Sequence, residues 1–353
     1  MERMRIIGVG SALPAHLYHQ QQITDALIEH WGAGLSAQEL LRRLHCRVGV
    51  DVRHLAFSLE QYAQFSTWGE SNRAWLTASQ ELGTKAIDAV LERTGFMRSD
   101  IDALYIVSIT GVASPSLDAR LANCMGLRSD IKRTPIFGLG CVGGAVGLVR
   151  AADYVRAFPN QVAVLLSVEV CSLTIQLDDL SIANMISSGL FADGAVAALL
   201  TGQGTAAAQG PEIICTKSVF YPGTEDMMGW DISEKGFRVI LSPKLPKLIK
   251  SRFAADVDSF LTEHGLSRTH VGSWVIHPGG PKILEAVESS LGLFDHELEA
   301  SWECLSRCGN LSSGSVLKVL EEVIAGHRPQ PGTFGVIAAM GPGFCAELLL
   351  VRW

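Results

Sequence analysis

Cys141 stands in Ile-Phe-Gly-Leu-Gly-Cys-Val-Gly-Gly, residues 136–144. A β-prone run, Thr134 to Leu139, leads into it, and a helix-prone run, Ala145 to Ala157, follows. The thiol is therefore expected where a strand turns into a helix. Free N–H groups and partial positive charge at a helix start favour a thiolate. The flanking glycines let a substrate carbonyl come close to the backbone. These residue types in this order point to a cysteine nucleophile for acyl transfer. The other cysteines, Cys46, Cys124, Cys171, Cys215, Cys304, Cys308 and Cys345, have no such frame and read as small apolar residues.

Three further segments could complete such a site. His277 ends the apolar run Trp-Val-Ile-His-Pro-Gly-Gly, residues 274–280. An imidazole there could pair with a thiolate or serve the core. His264, His270 and His327 sit in polar loops or at helix ends and read as solvated. Asn310, in Cys-Gly-Asn-Leu-Ser-Ser, just precedes a helix, where asparagine also serves as a cap. The turn Ala-Met-Gly-Pro-Gly-Phe, residues 339–344, is either an ordinary hairpin or a backbone wall around a cavity.

The elements around these residues alternate. Strands are expected at Ile101 to Thr110, Gln161 to Val168 and Ala195 to Leu200, and helices at Ala78 to Thr94 and Leu117 to Met125. The second half repeats the theme. Helices are expected at Phe253 to His264, Pro281 to Leu291 and Ser315 to Ala325, and strands at Val271 to Ile276, Thr333 to Ala339 and Ala346 to Val351. This order implies an α/β fold with a duplicated unit, although no residue-level repeat is visible. The Gly/Ala/Gln/Thr-rich stretch Gly202 to Gly210 marks a seam, giving halves 1–210 and 211–353. The helix-prone region Gln20 to Tyr62 reads as an extension or lid.

Composition narrows the function classes. The 353 residues are 48% apolar and 18% charged, enough for a large core, with a net charge of −7. No basic run or aromatic-plus-basic stripe suggests a nucleic-acid partner. The cysteines lack metal-ligand spacing, so no metal is expected, and their scatter fits a reducing cytoplasm. Met1 to Leu13 reads as a strand and loop rather than a secretory signal, and no apolar stretch is long enough for a membrane span.

The ordered set Gly-x-Gly-Cys-x-Gly-Gly, His-Pro-Gly-Gly, Gly-Asn-x-Ser-Ser and Gly-Pro-Gly-Phe resembles the type III polyketide synthases, the chalcone synthase superfamily. The match runs from about Ile101 to the C-terminus, and before residue 100 it is diffuse. The resemblance implies a thiolase-like duplicated αβαβα five-layer fold and a homodimer. It also implies a Cys141–His277–Asn310 triad that condenses CoA thioesters without metal or organic cofactor. An acyl-CoA starter would load on Cys141, and malonyl-CoA, or methylmalonyl-CoA, would extend it. Phe191 matches a gating phenylalanine and Val239 the position of a second one. Thr174 and Ser312 match cavity-lining positions, and Trp230 falls where plant enzymes have glycine. Ser114 replaces a methionine that reaches across the plant dimer, and Gly341, Pro342, Gly343 and Phe344 form the turn. Arg42, Arg43, Arg47 and Arg53 lie where the family contacts CoA phosphates, although a solvated basic helix face fits them equally. The pattern is closer to bacterial members, implying a fatty acyl starter and a pyrone or resorcinol-type product. Two alternatives remain. One is a β-ketoacyl carrier-protein synthase III, whose His and Asn motifs differ and which would need a basic docking patch. The other is an inactive thiolase-fold partner subunit, which usually lacks the cysteine.

Overall fold

The computed structural model describes residues 3–32, 34–205, 210–326 and 329–353. Residues 206–209 of the expected seam, and His327, lie outside these. Strand β1 (Met4–Ala12) is followed by β2 (His16–His19), α1 (Gln20–Trp31), α2 (Leu35–His45), β3 (Val52–Leu55) and α3 (Leu59–Tyr62). Then come α4 (Trp68–Thr94), β4 (Ala103–Val107), α5 (Leu117–Met125), β5 (Lys132–Ile136), α6 (Gly143–Ala157), β6 (Val162–Val170), α7 (Ile182–Leu190) and β7 (Asp193–Thr201). The second half comprises β8 (Glu212–Phe220), β9 (Met228–Ser233), β10 (Gly236–Leu241), α8 (Leu245–Thr262), β11 (Val271–Ile276), α9 (Pro281–Leu291), α10 (Glu299–Cys308), α11 (Ser315–Ala325), β12 (Phe334–Gly341) and β13 (Cys345–Arg352).

Among the described residues the main sheet has nine strands in the order β11-β12-β13-β8-β1-β7-β6-β4-β5. One four-strand unit occurs twice in it. In β4-β6-β7-β1 the first pair is parallel and the next two antiparallel. In β11-β12-β13-β8 the same pattern recurs. The duplication expected from element order is thus present as topology. It is invisible residue by residue because a strand needs only apolar alternation, not particular side chains.

Burial shows how the layers stack. Along β6, Val162, Val164, Leu166, Val168 and Val170 pack with α4 and α5, while Ala163 and Leu165 face α6 on the other side. Along β12, Val336, Ala338 and Met340 pack with α8 and α9, while Ile337 and Ala339 share the α6 core. Helices α6 and α11 touch each other and both sheet halves. Outer helices, sheet, central helices, sheet and outer helices make the thiolase-like five layers. Strands buried on both faces read as continuous apolar runs, which is why they were legible.

Two expected elements start earlier than the sequence suggests. Helix α4 begins at Trp68, where Thr67 accepts a hydrogen bond from the Glu70 N–H and Glu70 completes a capping box. Helix α8 begins at Leu245, with proline in its first turn. The region Gln20 to Tyr62 is not one helical lid. It holds α1, α2 and α3 with the antiparallel β2–β3 pair, around Ile23, Leu27, Leu41, Leu55 and Met185 of α7.

Candidate active site

The expected strand before the nucleophile stops at Ile136, and a short turn of 3₁₀ helix, Gly140–Val142, carries Cys141 into α6. Gly138 and Gly140 adopt φ of 93° and 52°, values that L side chains rarely adopt. The loop is clamped from the far end of the chain. A Cβ on Gly140 would lie 2.8 Å from Pro342. A Cβ on Gly341 would lie 2.6 Å from the Leu139 carbonyl oxygen and 2.7 Å from the Val142 nitrogen. Gly-Pro-Gly-Phe is therefore more than a hairpin turn, because its first two residues seat the cysteine loop. Phe344 is buried and stacks on Tyr221 at 5.5 Å.

The asparagine loop is held equally closely. A Cβ on Gly144 would meet the Ser313 carbonyl at 2.2 Å, so small residues at the start of α6 let this loop approach. Asn310 donates its backbone N–H to Leu190 O, and the Ala192 N–H returns a bond to Asn310 O, both at 2.9 Å. Its side-chain oxygen accepts from the Ser312 N–H at 2.8 Å and the Ser315 hydroxyl at 3.2 Å. That fixes the amide and leaves its NH₂ group to serve the cavity. Ser312, at φ 50°, places its hydroxyl 3.9 Å from Cys141 Sγ.

Cys141, His277 and Asn310 line one cavity, together with Leu190, Phe191, Met228, Leu241, Leu245, Ile249, Gly279, Ile283, Met340 and Phe344. His277 directly follows β11, and both of its buried ring nitrogens lack a hydrogen-bond partner. Unpartnered buried polar atoms are costly and rare, so a ligand atom is their natural partner. Burial holds the imidazole down to about 3. Burial also pushes the Cys141 thiol up to about 12, raised further by the Glu169 charge and opposed by hydrogen bonds from Ser312 and Asn310. Desolvation thus outweighs the preference for a thiolate expected from the helix start, and the charged form needs a partner.

The remaining expected site residues divide. Phe191 and Phe344 line the cavity and Ser312 adjoins the thiol. Trp230 and Val239 face each other across the β9–β10 hairpin, and the Trp230 ring packs on Phe237 at 5.8 Å. Thr174 is buried and donates to Cys171 O at 2.7 Å. Ser114 is exposed. None of these last four, nor Gly341, Pro342 or Gly343, is part of the cavity wall. Leu241, Leu245, Ile249 and Ile283 escaped the sequence analysis. They carry no chemistry, and only the common inward face of the β10–α8 segment and α9 marks them.

Arg53 is a correction. It is 1% exposed, so no CoA phosphate reaches it. Its guanidinium donates to Phe191 O at 2.5 Å and Ser188 O at 2.8 Å, and its stem packs where a Cβ on Gly309 would lie at 3.1 Å. It thus ties the end of α7 and Phe191 to the asparagine loop. Asp193 opposes its charge. Arg42, Arg43 and Arg47 are exposed, and Arg42 pairs with Asp25 at 2.7 Å.

Elsewhere, Cys304, Cys308 and Glu322 bring possible metal-ligand atoms within 4.8 Å of one another. Lys318, 3.5 Å from Glu322, already supplies a positive charge there. No helix among the described residues is long and apolar enough to cross a membrane.

Comparison with known proteins identifies the family. Residues 39–211 match the family model of FAE1/type III polyketide synthase-like proteins, and residues 212–353 the C-terminal domain of chalcone and stilbene synthases. A 1,3,6,8-tetrahydroxynaphthalene synthase of Streptomyces peucetius subsp. caesius is 48% identical over 99% of this chain and 93% of its own length. The crystal structure of PKS-I from the brown alga Ectocarpus siliculosus superposes with a TM-score of 0.93 at 27% identity, covering 100% of this chain and 98% of its own. That of 1,3,6,8-tetrahydroxynaphthalene synthase from Streptomyces coelicolor A3(2) gives 0.90 at 27% identity, with 99% of both chains covered. These matches decide for one family over the carrier-protein synthase alternative: the chain belongs to the type III polyketide synthases, CoA-dependent condensing acyltransferases of the chalcone and stilbene synthase superfamily.

Proposed function

We propose that this enzyme uses malonyl-CoA both to start and to extend a chain held on Cys141, and closes it to a polyhydroxylated aromatic of the tetrahydroxynaphthalene type. The observation that carries this is a site with thiol, imidazole and amide converging on one cavity, in a chain 48% identical to a tetrahydroxynaphthalene synthase. His277 takes the Cys141 proton, and the resulting opposite charges stabilise each other where burial penalises each alone. The thiolate attacks the starter thioester, CoA leaves as its thiol, and the acyl group stays on sulfur. A second malonyl-CoA then loses CO₂. His277 and Asn310 donate hydrogen bonds to the thioester oxygen of the enolate, which attacks the Cys141 thioester and expels the thiolate. No metal or organic cofactor enters this scheme. Arg43 and Arg47, exposed and in no ion pair among the described residues, serve the CoA phosphates.

A fatty acyl starter with a pyrone or resorcinol-type product is the second reading. It is favoured by a cavity lining dominated by Leu, Ile, Met and Phe. Incubation with malonyl-CoA alone separates the two. A naphthalene product identified by mass spectrometry is expected. Turnover that requires a long acyl-CoA would replace the first reading with the second.

The two sequence halves divide near residue 210 in this reading, and two copies associate through β5. That strand is the sheet's outer edge, exposed along most of its length, and Phe137 beside it is 49% exposed. Paired edges would remove an open template for aggregation. A monomer by light scattering would exclude this dimer.

A further inference from the structure

Two of the cysteines that read as small apolar residues lie one helical turn apart. Cys304 and Cys308 are spaced by four on α10, which puts both thiols on one face of the helix. Helix α11 packs against α10 and brings Glu322 to them. The two sulfurs and a carboxylate oxygen of Glu322 lie within 4.8 Å of one another. Both cysteines are buried, while the Glu322 side chain keeps 20% of its surface exposed and opens the cluster to solvent. One oxygen of Glu322 is explained and the other is not. Lys318 Nζ lies 3.5 Å from Oε1. Oε2 is buried and has no hydrogen-bond partner among the described residues. Such an atom is costly, and a cation beside the sulfurs would supply the partner it lacks.

The chemistry of the donors narrows the ion. Two thiols and one carboxylate suit a borderline-soft divalent cation of the zinc class better than magnesium or calcium, which take oxygen ligands. Bonds of about 2.3 Å to sulfur and about 2.0 Å to oxygen set tetrahedral ligand atoms about 3.5 to 3.8 Å apart. The trio is therefore within about an ångström of a chelating set. Charge also balances. Lys318 and Arg93 already offset Glu321 and Glu322. A dication that displaces two thiol protons adds no net charge to this buried cluster. The hydrogen bond from Cys304, aided by the Lys318 charge, holds the Cys308 thiol below its ordinary value against the effect of burial, so it loses its proton the more readily.

We propose that α10 and α11 bind one divalent cation of the zinc class through Cys304, Cys308 and Glu322, with water from the open side as fourth ligand. Binding forms two metal–sulfur bonds and one metal–oxygen bond and releases two protons. The site lies outside the Cys141 cavity, and the ion takes no part in the condensation. Its effect is mechanical. Helix α10 ends at Cys308, two residues before Asn310, and α11 begins at Ser315, whose hydroxyl bonds the Asn310 side chain at 3.2 Å. An ion held by both helices staples the two ends of the loop that carries Asn310.

The test uses the full chain, stripped of metal with a chelator, in a Cys141→Ala background so that the catalytic thiol cannot hold the ion. Zinc is titrated by calorimetry, and cadmium replaces it to report thiolate ligation by its ultraviolet charge-transfer absorption. One equivalent should bind, with release of about two protons and a rise in the thermal midpoint. Cys304→Ser should abolish the absorption and the rise. Glu322→Gln keeps both thiols and changes a partly exposed side chain, so its fold is safe. It should weaken zinc by about ten-fold or more. Failure to bind, or equal binding by the Cys304→Ser protein, would overturn the proposal. Unweakened binding by the Glu322→Gln protein would overturn the three-ligand site. None of these outcomes bears on the condensing function, which is read separately by malonyl-CoA turnover of the protein that retains Cys141.

Discussion

At Cys141, burial and the helix start act in opposite directions on the thiol, and burial wins: the group is pushed up to about 12. His277 is pushed down to about 3 for the same reason. A charged nucleophile at neutral pH must then come from moving one proton between the two, so that neither charge is created alone. Alkylation by iodoacetamide tests this. In the native enzyme the rate should vary little from pH 7 to pH 9. In His277→Ala no base remains, and the rate should climb by roughly ten-fold per pH unit across that range. Identical profiles in the two proteins would show that His277 does not hold the thiol proton. Cys141, His277 and Asn310 were readable in the sequence because each is a chemically distinctive side chain in a glycine-framed segment. The cavity-lining Leu245 and Ile249 were not, since any apolar side chain of similar size satisfies such a position.

Between elements, two clamps hold the site, and each exposes itself to substitution. Arg53 of β3 donates to carbonyls at the end of α7 and faces Asp193. Arg53→Met should destabilise the fold by about 3 kcal/mol, because buried carbonyls lose charged donors and Asp193 loses its counter-charge. Arg53→Lys should not rescue it, since an ammonium cannot reproduce the planar fork. Urea unfolding of both variants measures this, and a loss under about 1 kcal/mol would refute the clamp. The second clamp is Gly341 against the backbone on both sides of Cys141. Gly341→Ala must displace backbone that has no slack, so malonyl-CoA turnover should fall by about 100-fold or more through misplacement of the nucleophile. Undiminished turnover would show that the turn does not seat the loop. Arg53 was assigned to CoA from its place in a basic segment. The sequence places Arg42, Arg43, Arg47 and Arg53 within twelve positions, and only the path of the chain sends the last one inward.

For the molecule as a whole, buried titratable groups pull stability in opposite directions with pH. His45 and His277 are held down to about 4 and about 3 by burial, against an ordinary value of 6.5. Below 6.5 the unfolded chain takes up protons there that the fold refuses, so stability falls as pH drops from 6.5 toward 4. Glu169 is raised from 4.5 to about 7 by burial, although hydrogen bonds from Ser313, Ile109, Thr110 and Ser108 oppose this. The fold keeps that proton where the unfolded chain releases it, so this contribution is complete below 4.5 and lost as pH rises through 7. Replacing His45 by Gln should flatten the acid limb by on the order of 3 kcal/mol at pH 4, read by urea unfolding. Glu169→Gln should remove the decline between pH 4.5 and 7. Unchanged limbs in both variants would show that other groups govern the pH dependence.

The amino-acid sequence by itself determined the α/β alternation, the doubled element order and the choice of Cys141, His277 and Asn310, which the fold brings to one cavity. Strands buried on both faces are continuously apolar, and a thiol, an imidazole and an amide in glycine-framed segments stand out by residue type. Only the tertiary structure decided that Arg53 holds the carbonyls of Ser188 and Phe191 instead of contacting a phosphate, that Gly341 packs on the backbone beside Cys141, and that the dispersed Lys244, Lys247 and Lys250 share the outward face of α8. Those properties depend on which residues distant in the chain come within a few ångströms of one another, and on which side of an element faces water.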